Sequence, residues 1–144
     1  MKRHFALASF MILLASIAAA DTYSCSFKPT SFNDITPKSM TVVLDRKNLR
    51  AAIEDAVIDG AETQMVFAKI SRITDKNVTL IWESRGYILT TGKIYLNNTR
   101  AFPLVDYRMQ IRTQTGGAMI RALALSIGSD RHDYSTSGRC VKVS

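Results

Sequence analysis

The sequence is poor in the residues on which most metal and catalytic sites depend. Among its 144 residues there are two histidines and two cysteines. His4 lies in an apolar leading segment, so His132 is the one histidine left for the body of the chain. Because a protein zinc site uses about three or four protein ligands, this inventory predicts neither a metal site nor a cofactor.

The motifs of common enzyme classes are also missing. The chain has no G-x-S-x-G elbow and no Walker sequence. One alternative stays open: a hydrolase-like enzyme centred on His132, with Asp130 and Asp133 beside it, since a positioned imidazole can act as a general base. The polar stretch 128–133 is equally typical of a surface loop before the last strand. We therefore favour a protein that is not an enzyme.

Residues 1–20 have the pattern of a secretory signal peptide. Lys2 and Arg3 give a positive start, an uncharged apolar run follows, and small residues at 18 and 20 permit cleavage between Ala20 and Asp21. The run is shorter than the roughly 20 residues that a membrane-spanning helix needs, although an uncleaved anchor is the alternative. No later stretch is apolar enough to span a bilayer. We expect export of residues 21–144 to the periplasm or the extracellular space.

The exported part is expected to form a single domain. The chain is 47% hydrophobic and 22% charged, which is ordinary for a globular protein. Residues 21–144 suffice for one hydrophobic core but not for two.

Both cysteines belong to the predicted mature chain, Cys25 near its start and Cys140 near its end. An even number of cysteines in an exported protein predicts a disulfide. Such a bond requires the two Cα atoms to be about 6 Å apart, so the first and last strands should lie side by side. A reactive free thiol or an intermolecular link are the alternatives.

Between the cysteines the sequence is typical of β structure. Short segments rich in β-branched residues, such as 40–44 and 78–82, alternate with turn residues at intervals of about 10–12 residues. The clearest strand is 105–113, where Val105, Tyr107, Met109 and Ile111 share one face. The fold class predicted is all-β, a small antiparallel β-barrel or β-sandwich whose terminal segments are joined by the disulfide.

Two segments are compatible with either a helix or a strand. In 46–59 the apolar residues have helical spacing, but basic residues at the start and acidic residues at the end oppose the helix dipole. We predict a hairpin that turns at 45–48. In 118–127, Met119, Leu123, Leu125 and Ile127 fit one face of a strand, and the preceding Gly116-Gly117 favours a hairpin with 105–113.

Charge is distributed unevenly along the chain. Residues 21–84 hold eight basic and nine acidic side chains, a net charge of −1, whereas residues 85–144 hold nine basic and three acidic ones, a net charge of +6. A basic half can attract anionic surfaces. Arg108, Gln110 and Arg112 form a candidate anion-binding face, which would become a patch if Arg121 or Arg100 lay beside it. A solvated strand face is the alternative reading.

Trp82 is the candidate pocket aromatic. It ends the 78–82 strand in phase with Val78 and Leu80. A tryptophan in this position can form the wall of a ligand pocket, or it can simply fill the core.

Short motifs mark both ends of the domain, Tyr23-Ser24-Cys25 and Gly138-Arg139-Cys140. In this plan the chain resembles small, uncharacterised, β-rich exported proteins of Gram-negative bacteria. The resemblance implies a periplasmic, disulfide-bonded β domain without an activity. The opening is also similar to that of periplasmic and membrane-bound lysozyme inhibitors, which are small β-barrels. The Ser-Gly-x-x-Tyr loop of that family is missing here.

Together these features predict an exported, non-enzymatic β domain that binds a ligand or an envelope component. The partner could be an anionic envelope component held by the arginine face, or a small apolar ligand held in a hollow barrel. The arginines are spread out rather than grouped in a run, which favours a role of the charge in solubility alone, and nucleic acid is not expected as a partner. A protein-inhibitor module and the hydrolase centred on His132 are the alternative functions.

Overall fold

A computed structural model of the protein describes residues 20–28, 36–58, 61–85, 104–125 and 131–144. The predicted signal peptide, apart from Ala20, lies outside these residues, as do Arg100 and Asp130 and the segment 86–103. The strands of the described residues are β1 (Asp21–Phe27), β2 (Ser39–Asp45), β3 (Arg50–Ile58), β4 (Ala61–Glu62), β5 (Val66–Ile73), β6 (Asn77–Arg85), β7 (Leu104–Arg112), β8 (Gly117–Leu125) and β9 (Arg131–Lys142).

The strands close into an antiparallel barrel. Their order is β2-β1-β9-β8-β7-β6-β5-β3, and a further pairing of β2 with β3 joins the two ends of this row. The two-residue β4 is a short addition that pairs with the end of β3. The prediction of an all-β fold is therefore confirmed, with eight strands forming a closed ring. No helix that could cross a bilayer occurs in the described part of the chain.

The disulfide joins the first and last strands, as the sequence predicts. Cys25 and Cys140 lie directly opposite each other in the β1–β9 ladder, with a Cα–Cα distance of 4.0 Å. The Cys140 amide donates to the Gly116 carbonyl on the other side of β9. The bond therefore spans two strands that are already neighbours, and it links positions 115 residues apart in sequence.

The barrel interior is filled by apolar side chains. In β7, Val105, Tyr107, Met109 and Ile111 are all buried, which confirms the predicted alternation. Every strand of the ring contributes to the same buried cluster. Trp82 is part of it and stacks on Tyr107, with ring centroids 5.0 Å apart and planes inclined by 12°.

Both ambiguous segments are strands where the structure describes them. Residues 46–49 form the turn between β2 and β3, and the Asp45 carboxylate accepts from the Asn48 amide at 3.1 Å. Residues 117–125 form β8, paired with β7. The apolar residues Met119 and Leu123 share the outer face of β8, and Met119 is 53% exposed. The core is formed instead by small residues and an isoleucine, namely Ala118, Ile120 and Ala122.

The prediction of a loop over 128–133 is wrong for residues 131–133, which belong to β9. β9 begins at Arg131 and pairs with β8 from Leu125 onward. The strand is hard to see in sequence because its partly or fully buried positions include Tyr134, Thr136 and Gly138, which are polar or small. Backbone pairing with β8, rather than an apolar face, forms this part of the strand.

Candidate anion-binding face

The outer surface of β5 to β9 brings together basic residues from different strands. Arg108 on β7 lies directly opposite Arg121 on β8, and on its other side it faces Ile81 on β6. Ile81 in turn faces Lys69 on β5. These four side chains are exposed and form one cross-strand row. The predicted condition for a basic patch, that Arg121 lie beside Arg108, is met.

Further basic residues flank this row towards the β7–β8 turn. Arg112 ends β7, and Arg139 on β9 lies opposite Gly117, the first residue of β8. Arg72 faces Thr79, which faces Gln110. We call this surface the basic wall and define it by its six exposed cationic side chains, Lys69, Arg72, Arg108, Arg112, Arg121 and Arg139.

One arginine of the basic wall is neutralised by a carboxylate. The guanidinium of Arg121 donates to both carboxylate oxygens of Asp133, with Nε to Oδ1 at 2.8 Å. Hydrogen bonding to Asp133 raises the pKa of Arg121 further above its ordinary value. For the other five cations, no carboxylate of the described residues lies within 4.0 Å.

A groove of about 490 Å³ lies along the same wall. Lys69, Arg108 and Arg121 provide its basic side. Glu83 and Asp106, which pair across β6 and β7 in the next row, provide an acidic side. Ile81 and Leu123 give it apolar surface. The groove is thus of mixed charge, whereas the outward positions Gln110, Met119 and Ser137, which lie between it and the pair Arg112 and Arg139, are neutral.

Trp82 and Tyr107 border this groove from the barrel side. Trp82 is 8% exposed and packed in the core cluster. Its ring is engaged by the stack on Tyr107. The structure therefore places the candidate pocket aromatic at the boundary between core and groove.

The candidate catalytic residues are only partly described. The backbone of His132 pairs with Ala124 in the β8–β9 ladder, while its side chain and Asp130 lie outside the described part. The Asp133 carboxylate is engaged by Arg121. Within the described residues, no group of three or more histidine, cysteine, aspartate or glutamate side chains could hold a metal ion.

Arg108, Gln110 and Arg112 could be selected from sequence because they alternate with buried residues on one strand. Local sequence patterns do not single out Arg139, Arg72 or Lys69. They join the wall through the register of four strand pairs, β5–β6, β6–β7, β7–β8 and β8–β9. A signal for Arg139 was present, since it lies next to Cys140 in a strand expected to pair with β1.

Comparison of the chain with protein-family models, with curated proteins and with solved structures finds no match.

Proposed function

We propose that this chain is an exported, non-enzymatic barrel that binds an anionic component of the cell envelope through the basic wall. One observation carries the proposal. Five of the six cations of that wall, those other than Arg121, have no carboxylate partner among the described residues. These five cations belong to β5, β7 and β9 and are exposed on the same outer surface, so an anion there can be attracted by cations of several strands at once.

The filled interior favours this proposal over an internal ligand. Inward-facing residues such as Leu80, Met109 and Ile120 are 0% exposed and belong to one packed cluster. A small apolar ligand would have to displace such side chains, which costs packing energy. The groove and the free cations, in contrast, are already open to solvent.

The proposal can be tested with vesicles. Phosphatidylcholine vesicles with and without phosphatidylglycerol are sedimented with the purified protein over a series of salt concentrations. Binding is expected only with phosphatidylglycerol, and it should weaken as salt rises because exposed charges are screened beyond about 8–10 Å. Removing Arg108 and Arg112 together should weaken it roughly thirtyfold, at about 1 kcal/mol per basic residue near an anionic surface.

A matched control removes two arginines that already have acidic partners. Arg46 is paired with Asp21 and Arg50 with Asp45. The variant Arg46→Ala plus Arg50→Ala has the same net charge as Arg108→Ala plus Arg112→Ala, yet it should leave vesicle binding little changed. Binding that is independent of salt and survives loss of Arg108 and Arg112 would exclude the anionic proposal. A hydrolytic activity that disappears in His132→Ala would favour the enzyme instead.

A further inference from the structure

The glycine at the start of β8 is not required by the backbone. Gly116 next to it has φ +77°, and a Cβ there would lie 2.8 Å from the Cys140 carbonyl oxygen, so this position needs glycine. At Gly117 a Cβ would meet only Thr115 Oγ1 at 3.5 Å and Arg112 Cδ at 3.7 Å, which are ordinary contacts. The backbone at Gly117 would therefore accept a side chain, and we call this outward position of β8, which has none, the gap.

Two arginines border this gap from the neighbouring strands. Arg112 lies on β7, with its Cδ beside the empty Cβ position of Gly117. Arg139 lies on β9 opposite Gly117, with its Cγ and Nε each 3.8 Å from the Cβ position of Gly116. Since β7 and β9 flank β8, their Cα atoms are roughly 9.5 Å apart, two strand spacings. Both side chains are exposed, and each lies against one residue of the adjacent pair Gly116 and Gly117.

The surroundings of the gap leave these two charges without a counterion among the described residues. The adjacent outward positions, Gln110 and Ser137, are neutral. Asp75 approaches the turn through its carbonyl, which accepts from the Thr113 hydroxyl at 3.0 Å, but its carboxylate forms no ion pair with either arginine. The gap therefore lies between two exposed arginines that have no ion pair among the described residues.

We propose that Arg112 and Arg139 bind a phosphate group in the gap that Gly117 leaves open. A guanidinium presents N–H donors as a planar fork that matches two oxygens of a phosphate. A phosphate has enough oxygens to accept from two forks at once, whereas a carboxylate has two oxygens and satisfies one fork. The inference rests on the proposed function, that the basic wall binds anions, and it names the anionic group and its place.

The phosphate could belong to a lipid headgroup or be free in solution, and the test separates these sources. Sodium phosphate and sodium acetate are titrated separately into isotope-labelled protein, and the side-chain Nε–H signals of Arg112 and Arg139 are followed by NMR. Phosphate should shift both signals along one saturation curve, and acetate should shift them far less. Vesicles containing phosphatidylglycerol provide the lipid arm.

Substitution of Gly117 tests the gap without changing the net charge. Gly117→Val should place a branched side chain between the two arginines and weaken phosphate binding roughly tenfold, the equivalent of one charge-assisted hydrogen bond. Gly117→Ala, whose Cβ has room, should have a much smaller effect. Arg46→Ala removes one cation that lies outside the basic wall and is already paired with Asp21, so it leaves both guanidinium groups of the gap in place and should not change the phosphate titration. Thermal unfolding of each variant confirms that the fold is kept.

Loss of both phosphate and vesicle binding in Gly117→Val supports the site for a phosphate from either source. Loss of vesicle binding alone supports a lipid headgroup. Unchanged phosphate and vesicle binding in Gly117→Val overturns the inference, while the proposed function stands if Arg108→Ala plus Arg112→Ala still weakens vesicle binding. If the wild-type protein does not bind anionic vesicles but phosphate shifts both arginine signals, the phosphate site is supported and the proposed envelope function is contradicted.

Discussion

Two sides of the barrel differ in how many of their cationic side chains are paired with a carboxylate. Around β1 to β3, Asp21 accepts from Arg46 and Lys142, each at 2.7 Å, and Asp45 pairs with Arg50. We call this side the paired side. On the basic wall, only Arg121 has a carboxylate partner within the described residues. The same residue types are therefore neutralised within the molecule on one side and left to solvent on the other.

This contrast separates cations that are already paired in the folded chain from cations that the proposed function leaves available to an anion. Hydrogen bonding to Lys142 lowers the pKa of the Asp21 carboxyl, Arg46 lowers it further, and Asp21 in turn raises the pKa of Lys142. These pKa shifts reflect the attraction between Asp21 and its two cationic partners within the folded chain. An anion approaching Arg46, Arg50 or Lys142 finds a cation that is already paired, whereas one approaching the basic wall meets five cations without an ion pair among the described residues.

The largest effect is expected from the disulfide, which joins β1 to β9. Cys25→Ala plus Cys140→Ala should reduce the free energy of unfolding by about 2–5 kcal/mol, because a long loop of the unfolded chain is no longer closed. Urea unfolding of the variant, and of the wild type with and without reductant, measures the loss. Binding of phosphatidylglycerol vesicles per folded molecule should be unchanged. A loss below about 1 kcal/mol would show that the bond constrains the unfolded chain little.

A smaller effect is expected where β9 meets β1. A Cβ at Gly138 would lie 2.1 Å from the Ser26 carbonyl oxygen and 2.8 Å from Phe27 Cα, so backbone must move. Gly138→Ala should cost about 1–3 kcal/mol by overpacking. Its matched control on the basic wall, Gly117→Ala, should be neutral or stabilising by about 0.4–1 kcal/mol. Urea unfolding of the pair tests this difference, and equal losses would contradict the assignment of the two glycines.

The smallest effect is expected from the ion pairs themselves. Asp21→Asn should cost at most about 1 kcal/mol at neutral pH, because its partners are largely exposed to solvent. Since the folded-state pKa of Asp21 is lowered, its contribution is present above its unfolded pKa, about 3.9, and is lost as pH falls through the folded pKa.

The urea midpoint of the wild type should therefore fall more steeply below about pH 4 than that of Asp21→Asn. Glu83→Gln provides a control, as it removes a carboxylate that has no ion pair among the described residues. Parallel acid profiles for wild type and Asp21→Asn would show that these pairs add nothing measurable.

How much the sequence reveals depends on the strand. β7 could be predicted because its apolar and polar residues alternate. That β1 and β9 are adjacent could also be predicted, because a disulfide between the two cysteines requires it. In β8 the outer face carries Met119 and Leu123, so apolarity does not distinguish inside from outside. In β9 the inner residues are too polar to mark a strand. The basic wall needed the register of all these strands, which local patterns do not encode.

Arg108 and Arg112 could be chosen as candidates because both belong to β7. The sequence does not predict that Arg139 lies near Arg112, because the two residues are on β9 and β7, on either side of Gly117 in β8. A one-residue shift of β9 against β8 would turn Arg139 inward and dissolve the site.

The β1–β9 ladder also determines how the chain could be rearranged. The Thr22 amide donates to the Ser144 carbonyl at 2.9 Å, and the Val143 amide donates to the Thr22 carbonyl at 2.8 Å. A short linker could join these positions without moving a strand, so that new ends could be opened at the exposed turn between β2 and β3. Such a circular permutant would keep the barrel while moving any fused tag or surface anchor to a different point on its rim.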